Sequence, residues 1–450
     1  MKSLRKHLHD LAAGTTISNA DLDMSITTPY LEKRALFPAQ ISSTPDPNLE
    51  IIVVIPAKDE RQLLKSLESL REAKQPPAAV EVIVVINDSE KDEEKLIKRN
   101  SKLFAKATKW AAENSTASKK FHILYHSSLP AKHAGVGLAR KIGMDEAVYR
   151  FAQIERMNGI IVCFDADTLC QPNYFKVIQQ YFSERPKLQA AGIYYEHPLE
   201  GSAYPKMVYR AITLYELHLR YYTHAQRYAG FPFACETIGS AMIARADAYQ
   251  QQGGMNKRKA GEDFYFLHKF TPLGHFGEIK KTIVMPSPRR SDRVPFGTGK
   301  AVATMTENTK EEVKTYAPES FEDLKVLFEK VPTLRKWKTE NAETILGSLP
   351  ESIQAFLKSI NVDKNLTEII KNTSSAANFE NRFFRWFNAF IIMKYVHFAR
   401  DQFYPNVKVE EAANWLLKTH FRKRLRGEQT AKSLLLLLRK EDKKAKYFFK

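Results

Sequence analysis

The sequence predicts an α/β protein in which a mainly parallel, doubly wound sheet is followed by a helical domain. Between residues 51 and 167, four apolar runs alternate with segments whose apolar residues recur at helical spacing. The runs are continuously apolar, which is typical of strands that are buried on both faces of a parallel sheet. From about residue 305 onward, amphipathic helical segments follow one another without a further strand of comparable strength.

The first predicted strand is the β-branched run 51–56 (IIVVIP), which ends at a proline. An amphipathic helix leads to the second strand, 81–88 (EVIVVIND), and a long helix leads from there to the third strand, 121–126 (FHILYH). A further helix precedes the fourth strand, 159–167 (GIIVCFDAD). Because strands that alternate with helices are joined by right-handed crossovers, we expect these four strands to pair in parallel.

The same pattern divides the 450 residues into three parts. Residues 1–48 are polar and irregular, and their prolines suit an extended approach to the first strand. Residues 49–305 carry the strands. Residues 306–450 form the predicted helical domain, whose end is basic and contains a block of leucines. A chain of this length is sufficient for a large core and for two or three structural units.

The composition indicates a basic protein without a membrane-spanning segment. The formal charge of +18 suits a polyanionic partner, such as nucleic acid, an anionic membrane face or phosphorylated small molecules. No segment approaches the roughly 18 to 20 apolar residues that span a bilayer. Residues 1–16 lack an apolar block of signal-peptide length. The three cysteines have no zinc spacing, and Cys163 and Cys235 lie among apolar neighbours. We therefore expect a cytoplasmic protein with buried thiols.

Polar clusters follow three of the predicted strands. These clusters are PAKDE at 56–60, NDSE at 87–90 and DAD at 165–167. Ligands of open α/β sheets bind at the carboxyl ends of the strands. The three clusters are therefore expected to line one crevice at one edge of the sheet.

Asp165 and Asp167 can both be ionised if a divalent cation neutralises them. Mg²⁺ and Mn²⁺ prefer oxygen ligands and commonly bind one or two carboxylates together with substrate phosphates. The spacing alone has little value, since Asp21 and Asp23 share it without following a strand. The strand before Asp165 and the neighbouring strand-end clusters favour a metal site over a solvated pair of acids.

Residues 50–300 resemble family 2 glycosyltransferases of the GT-A fold. No single motif carries the resemblance, but the ordered set is specific. The matching segments are IIVVIPAKDE, EVIVVINDSEKDEE, GVGLARKIGMDEA, CFDADTLCQPNYF and GSAMIARADAYQQQGGMNKRKAGEDFYFLHKF. They are similar, in this order, to the opening strand, the second strand, the helix start beneath the donor, the metal motif and the acceptor region with its acid pair.

The resemblance implies a role for individual residues. Those of the nucleotide-sugar site are Pro56, Ala57, Asp59 and Glu60 in the nucleotide pocket, Asp88 on the base or ribose, and Lys132 and Arg140 near the donor. The metal residues are Asp165, which touches ribose or metal, and Asp167, which holds the metal on the diphosphate. The catalytic residues are Asp263 as general base and Glu262 as the alternative base or acceptor contact.

The chemistry of glycosyl transfer explains these residue types. Positive charge develops at the anomeric carbon and negative charge develops on the departing diphosphate, which Mn²⁺ or Mg²⁺ stabilises as Lewis acid and template. A carboxylate takes the proton of the acceptor hydroxyl as attack proceeds. An inverting enzyme of this type forms no covalent intermediate and needs no nucleophilic side chain.

Two departures from the family limit the transfer of its properties. The Gln-Arg-Trp type motif and transmembrane helices of processive synthases are not found, which favours addition of a single sugar. Many relatives carry a metal-binding histidine after the strand that follows the acid pair, and the corresponding strand EIKKTIVMP leads to none. His268 and His275 lie nearby, but we expect them to be packing or surface residues, so the third metal ligand stays open.

The segment 287–300, SPRRSDRVPFGTGK, combines arginines with glycines. Arg289, Arg290 and Arg293 are candidates for a lid over the donor diphosphate or an anionic acceptor, since guanidinium groups bind phosphate in bidentate fashion. A solvated basic loop is the alternative. Of the three, Arg289 and Arg293 are assigned to the nucleotide-sugar site.

The expected function is therefore metal-dependent transfer of one sugar from a UDP- or GDP-sugar to a glycan, a lipid-linked acceptor or a small anionic acceptor, with inversion. One alternative is a retaining transferase for a small phosphorylated or carboxylated acceptor. Another is a non-catalytic module that binds polyanions or a membrane surface. The basic tail suits peripheral contact with an anionic membrane at its inner face, whereas nucleic acid is not expected as a partner.

Overall fold

The computed structural model describes residues 27–293, 297–308, 311–337, 341–444 and 448–449. The expectations for residues 1–16, and the comparison with Asp21 and Asp23, lie outside these ranges.

The four strands that the sequence predicts form one half of the sheet. They are β1 (Leu49–Ala57), β2 (Ala79–Ser89), β3 (Lys119–Leu129) and β4 (Ile160–Cys163). β1 pairs in parallel with β2 and β4, and β2 pairs in parallel with β3. Alternate residues of β1 enter two separate apolar cores, one on each face of the sheet. This two-sided burial explains why the runs are continuously apolar.

The other half of the sheet is mixed. β7 (Met242–Arg245) lies antiparallel between β4 and β6 (Ala190–Tyr195), while β6 and β8 (Phe276–Met285) are parallel. β5 (Leu169–Cys170) and β11 (Phe448–Phe449) pair antiparallel with β8. The main path of the sheet runs β11-β8-β6-β7-β4-β1-β2-β3. The predicted α/β fold is confirmed, with its parallel order concentrated in the first four strands.

Helices cover both faces of the sheet. Those of the first part are α2 (Leu63–Glu72), α3 (Glu94–Asn114), α4 (Val136–Gln153), α5 (Tyr174–Ser183), α6 (Lys206–Ala229), α7 (Ala246–Gln251), α8 (Glu262–Leu267) and α9 (Thr298–Glu307). The boundary predicted after residue 305 falls in the last turn of α9 and stays a prediction.

The predicted helical region follows α9. Its helices are α10 (Pro318–Glu329), α11 (Val331–Leu334), α12 (Ala342–Gly347), α13 (Glu351–Ser359), α14 (Val362–Lys371), α15 (Ala376–Trp386), α16 (Ala389–Gln402), α17 (Val409–Thr419) and α18 (Ala431–Lys444), with two short paired strands, β9 (Lys314–Thr315) and β10 (Val407–Lys408). α6 packs against α9, α10, α17 and α18 and so joins the two regions through one apolar core. Among the residues described, none of the helices has the length and apolar character needed to cross a bilayer.

Residues 27–48 differ from the irregular extension that the sequence suggested. They include the short helix α1 (Pro29–Arg34), and its Tyr30 is buried with the hydroxyl donating to Asp145 Oδ1 at 2.8 Å. The backbone N–H groups of Gln40 and Ile41 donate to the Glu146 carboxylate at 2.9 and 3.0 Å. This segment is therefore part of the folded body, fastened to α4 by buried hydrogen bonds. All three cysteines are free and buried, as expected.

Candidate active site

The ends of β1 and β4 are joined by an arginine that is distant in sequence. Arg289 Nη2 donates to Glu60 Oε2 at 2.7 Å, and its Nε donates to Asp167 Oδ2 at 2.5 Å. Arg293 Nη2 also reaches Glu60 Oε2, at 2.7 Å. The clusters that follow β1 and β4 therefore lie close together, and two of the three arginines singled out in segment 287–300 lie between them. Arg290 instead pairs with Glu307 on α9, and residues 294–296 of that segment lie outside the described ranges.

The turn after β1 is held in a special backbone conformation. Pro56 and Ala57 are buried at the end of the strand, and Asp59 has a positive φ of 48°. Both carboxylate oxygens of Asp59 accept hydrogen bonds from Arg99 on α3, each at 2.8 Å. This pairing fixes the turn beside Glu60. It leaves the Asp59 carboxylate engaged by the protein, although the sequence assigned it to the nucleotide pocket.

Asp88 at the end of β2 is fully buried. It accepts a hydrogen bond from the Tyr125 hydroxyl at 2.5 Å and another from the Ser128 backbone N–H at 2.8 Å. Burial raises the pKa of Tyr125, and the bond to Asp88 raises it further, so the phenol stays protonated and donates. In this arrangement Asp88 ties β2 to β3, and its proposed contact with a base or ribose stays a prediction.

Arg140 on α4 links the metal motif to the acid pair. Its buried guanidinium forms ion pairs with both Asp165 and Glu262. Burial by itself lowers the pKa of Arg140, but the two carboxylates raise it well above its usual range, so the positive charge is secure. Gly239 lies directly over this guanidinium, where a Cβ atom would collide with it. The sequence placed Arg140 near the donor, and the structure places it beneath Asp165 and Glu262.

The two members of the acid pair at the start of α8 have different environments. Glu262 is buried against Arg140, and burial raises its pKa. Burial and the charge of Glu262 raise the pKa of Asp263 to about 7, against the opposing effect of Arg140. Asp263 accepts a hydrogen bond from the N–H of Phe264 at 2.7 Å, and no side chain of the described residues donates to it. Asp263 is therefore the acid whose second oxygen is available to a ligand.

Residues 52–251 match the sequence model of a family described as "Glycosyl transferase family 2". This region of the chain therefore matches a family 2 glycosyltransferase domain. The match includes Asp59, Asp88, Asp165 and Asp167 and ends before the acid pair. No curated protein matches the sequence.

The chain is also similar to solved structures. S. aureus TarS 1–349 in complex with UDP-GlcNAc is 12% identical, with 72% of this chain and 90% of that chain covered and a TM-score of 0.38. The same protein in complex with UDP is 12% identical, with 75% and 91% covered and a TM-score of 0.35.

The donor chemistry of Asp165 and Asp167 fits a divalent cation. Burial raises the pKa of Asp167 to about 7, with Arg289 opposing the shift and Glu60 adding to it. Arg140 binds one oxygen of Asp165, and Arg289 binds one oxygen of Asp167. The other oxygen of each aspartate is left as a hard ligand. In the described ranges no three His, Cys, Asp or Glu side chains form a ready metal site. The two carboxylates therefore have the donor chemistry that suits a divalent cation, whose binding stays a prediction.

The two histidines near the acid pair do not supply the open metal ligand. His268 packs against the ring of Phe264 at a centroid distance of 4.5 Å, and burial lowers its pKa to about 4. His275 lies in the turn before β8, where its carbonyl accepts the backbone N–H of Gln189 at 2.9 Å. Both positions are consistent with packing and surface roles.

Some residues of the site were not found from the sequence. Arg99 binds Asp59 and Tyr125 binds Asp88, each across a long stretch of sequence. No pattern in the neighbouring residues distinguishes Arg99 or Tyr125. Tyr215 on α6 lies near Asp263, whose charge adds to the burial that raises the tyrosine pKa to about 12. The run Lys257-Arg258-Lys259 could have been found from the sequence, because three consecutive cations lie shortly before the acid pair.

Lys132 forms no ion pair with the strand-end acids among the described residues, although the N–H of its neighbour Ala131 donates to Glu90 Oε1 at 3.0 Å. It is exposed, in the segment between β3 and α4, and its charge acts on His133 together with those of Lys257 and Lys259. Its predicted place near the donor therefore stays a prediction, and its observed neighbours are the cations of the loop before α8.

Proposed function

We propose that this protein transfers a single sugar from a UDP- or GDP-sugar to an acceptor hydroxyl, with inversion and with the help of Mn²⁺ or Mg²⁺. The environment of Asp263 is the main support for this proposal. No described side chain donates a hydrogen bond to Asp263, whose pKa lies near neutrality, and Arg140 connects its neighbour Glu262 to Asp165, one of the two aspartates that would hold the cation. A general base works best when its pKa lies near the operating pH.

In this proposal the protein orients both substrates. The turn at Pro56–Glu60 and the end of β2 receive the nucleotide, and Asp165 and Asp167 hold the cation. The cation would stabilise the departing diphosphate as a Lewis acid. Arg289 and Arg293 already lie beside Glu60 and can exchange their carboxylate partners for phosphate oxygens, which guanidinium groups bind equally well.

The sugar is transferred in one step, without a covalent intermediate. The acceptor oxygen bonds to the anomeric carbon as its proton passes to Asp263. At the same time the bond between the anomeric carbon and the diphosphate oxygen breaks, and its electron pair leaves with the diphosphate. The ion pair with Arg140 holds the Glu262 side chain in place beside Asp263.

The test is a screen of UDP- and GDP-sugars with Mn²⁺, in which the release of nucleoside diphosphate is measured with and without added acceptors. We expect release with a small set of donors and its loss in Asp263→Asn. NMR of the product then gives the anomeric configuration. Retention would favour the retaining alternative, and no turnover of any donor would contradict the proposed function.

Peripheral contact with an anionic membrane is a second proposal, which a feature of α18 supports. Leu436 is 49% exposed, which is unusual for a large apolar side chain here. Exposed cations precede and follow it, namely Arg422, Arg424, Arg426, Lys432 and Lys440. Cosedimentation with vesicles should require anionic lipid and should weaken in Leu436→Glu. Equal binding to neutral vesicles would contradict the electrostatic part of this proposal.

A further inference from the structure

Four cationic side chains lie together beside the acid pair without acidic partners. Lys132 belongs to the segment between β3 and α4, and Lys257, Arg258 and Lys259 belong to the loop before α8. We call these four residues the basic cluster. None of them pairs with an acid anywhere in the part of the chain that the structure describes, although most of the acids around the crevice are paired with arginines.

Three members of the basic cluster act on one histidine, His133. Burial and the positive charges of Lys257, Lys132 and Lys259, in this order, lower the pKa of its imidazole, while a hydrogen bond with the backbone of Lys257 opposes the shift. Charges from two segments that lie more than a hundred residues apart therefore converge on one side chain. Like charges at this range repel one another unless an anion lies between them.

The loop that carries three of these cations is held in place. The N–H of Gly137 in α4 donates to the Arg258 carbonyl at 3.2 Å, and the Asn256 side chain accepts from the Arg258 N–H at 3.0 Å. A Cβ atom at Gly135 would lie 2.9 Å from Lys259 Cα, which is too close. The glycines at the start of α4 therefore allow the loop to lie directly on the helix, and the cations are presented by fixed backbone.

The basic cluster is connected to the proposed base. Asn256 Nδ2 donates to the Glu262 carbonyl at 3.1 Å, one residue before Asp263. The Arg258 guanidinium stacks 3.9 Å from the centroid of the Tyr265 ring, two residues after Asp263. The loop that carries Lys257, Arg258 and Lys259 therefore contacts the residues on both sides of Asp263. Arg289 and Arg293, in contrast, contact the strand-end acids where the donor diphosphate is expected.

We propose that the basic cluster binds an anionic group, a phosphate or a carboxylate, of the acceptor and so places the acceptor hydroxyl at Asp263. The inference rests on the proposed function and adds the acceptor class to it. The donor diphosphate is the other source of a phosphate for these cations, and the experiment distinguishes the two.

The test compares the double variant Lys257→Gln/Lys259→Gln with the wild type in binding to three probes: glycerol 3-phosphate, glycerol and UDP. A matched control is Lys176→Gln/Lys187→Gln, which removes two exposed lysines on and after α5. Ligand-observed NMR gives the affinities, and thermal melting shows that both variants are folded.

We expect the wild type and the control to bind glycerol 3-phosphate and not glycerol. Loss of two charge-assisted contacts should weaken glycerol 3-phosphate binding in the cluster variant by about tenfold or more, with UDP binding within about twofold of the wild type. Equal glycerol 3-phosphate binding in variant and wild type, or none in the wild type, would overturn the proposal. A parallel loss of UDP binding would also overturn it, because it would assign the basic cluster to the donor.

Release of nucleoside diphosphate from the donor separates this inference from the proposed function. If the wild type turns over a nucleotide sugar but does not bind glycerol 3-phosphate, the acceptor inference alone fails. If it turns over no donor, the proposed function fails, whatever the result with the anionic probe.

Discussion

Arg289 and Asp167 are joined by a hydrogen bond of 2.5 Å between Nε and Oδ2, and the same guanidinium also binds Glu60. One side chain thus neutralises carboxylates that follow two different strands of the sheet. The proposed diphosphate and cation would compete for this place, so Arg289 is expected to change partners when the donor binds.

Arg289→Ala should reduce donor kcat/KM by about 10- to 1,000-fold, because a bidentate, charge-assisted contact to phosphate is lost. Initial rates of nucleoside diphosphate release measure the effect. Arg290→Ala is the matched control, since Arg290 pairs with Glu307 away from the acids. Equal activities of the two variants would show that Arg289 has no part in donor use.

Asp263→Asn should lower kcat by about 10²- to 10⁴-fold, the usual contribution of a general base. The affinity for UDP should stay close to that of the wild type, because the amide keeps the shape of the side chain. Asp401→Asn is the control, since Asp401 is a surface residue paired with Arg400. Near-normal kcat in Asp263→Asn, with Glu262→Gln inactive, would move the base to Glu262.

The pH profile follows from the raised pKa of Asp263. The base acts in its deprotonated form, so kcat/KM should rise with pH and level off above the pKa of about 7. The remaining activity of Asp263→Asn should lack this limb. A profile that is flat between pH 5.5 and 8.5 in the wild type would contradict the assignment of the base.

The raised pKa of Asp263 also predicts that ionisation of this side chain lowers the free energy of unfolding. Between the usual aspartate pKa and about 7, the folded state binds the proton more tightly than the unfolded chain, so the free energy of unfolding falls as pH rises through this window. Asp263→Asn should therefore have a higher Tm than the wild type at pH 8, and the difference should be smaller at pH 5. Thermal melting at the two pH values checks this, and a lower Tm of the variant at pH 8 would contradict it.

Removal of divalent cations with EDTA should abolish nucleoside diphosphate release, and Mn²⁺ or Mg²⁺ should restore it. In Asp167→Asn the concentration of Mn²⁺ that restores half of the activity should rise by about tenfold or more, since one of two carboxylate ligands is lost. Full activity of the wild type in EDTA would contradict metal dependence.

Buried ion pairs attach α18 to α6, and we expect them to affect stability only. Arg439 Nη2 lies 2.6 Å from Glu216 Oε2, and Arg220 forms an ion pair with Asp442, all four side chains being buried. Asp442→Ala leaves Arg220 partly uncompensated and should reduce the free energy of unfolding by about 3–5 kcal/mol. Urea denaturation measures the change. Glu428→Gln, at an exposed position, should have little effect.

The strands of the first half of the sheet were predictable because burial on both faces leaves a direct record in the sequence. The run of β1 enters two cores and has no polar position to interrupt it. β7 was not recognised as a strand. It is four residues long and lies within a segment that the sequence analysis assigned to the acceptor region. Its antiparallel place between β4 and β6 depends on long-range pairing.

The partners of the acids were much less predictable. Asp59 and Asp88 were expected to face a nucleotide, yet Arg99 binds the first and Tyr125 binds the second. The acids could be located because they end apolar strands. Their partners lie on other elements, where nothing in the neighbouring residues marks them.

The sequence by itself determined the α/β fold of the first half, the edge of the sheet at which the acids collect, and the order of motifs that identifies the family. Only the tertiary structure decided that Arg289 bridges Glu60 and Asp167, that Arg140 joins Asp165 to Glu262, and that Asp263 keeps a free oxygen. The physical reason is that strand burial and strand ends are properties of consecutive residues. Charge pairing and pKa shifts instead depend on which distant side chains the fold brings within a few ångströms.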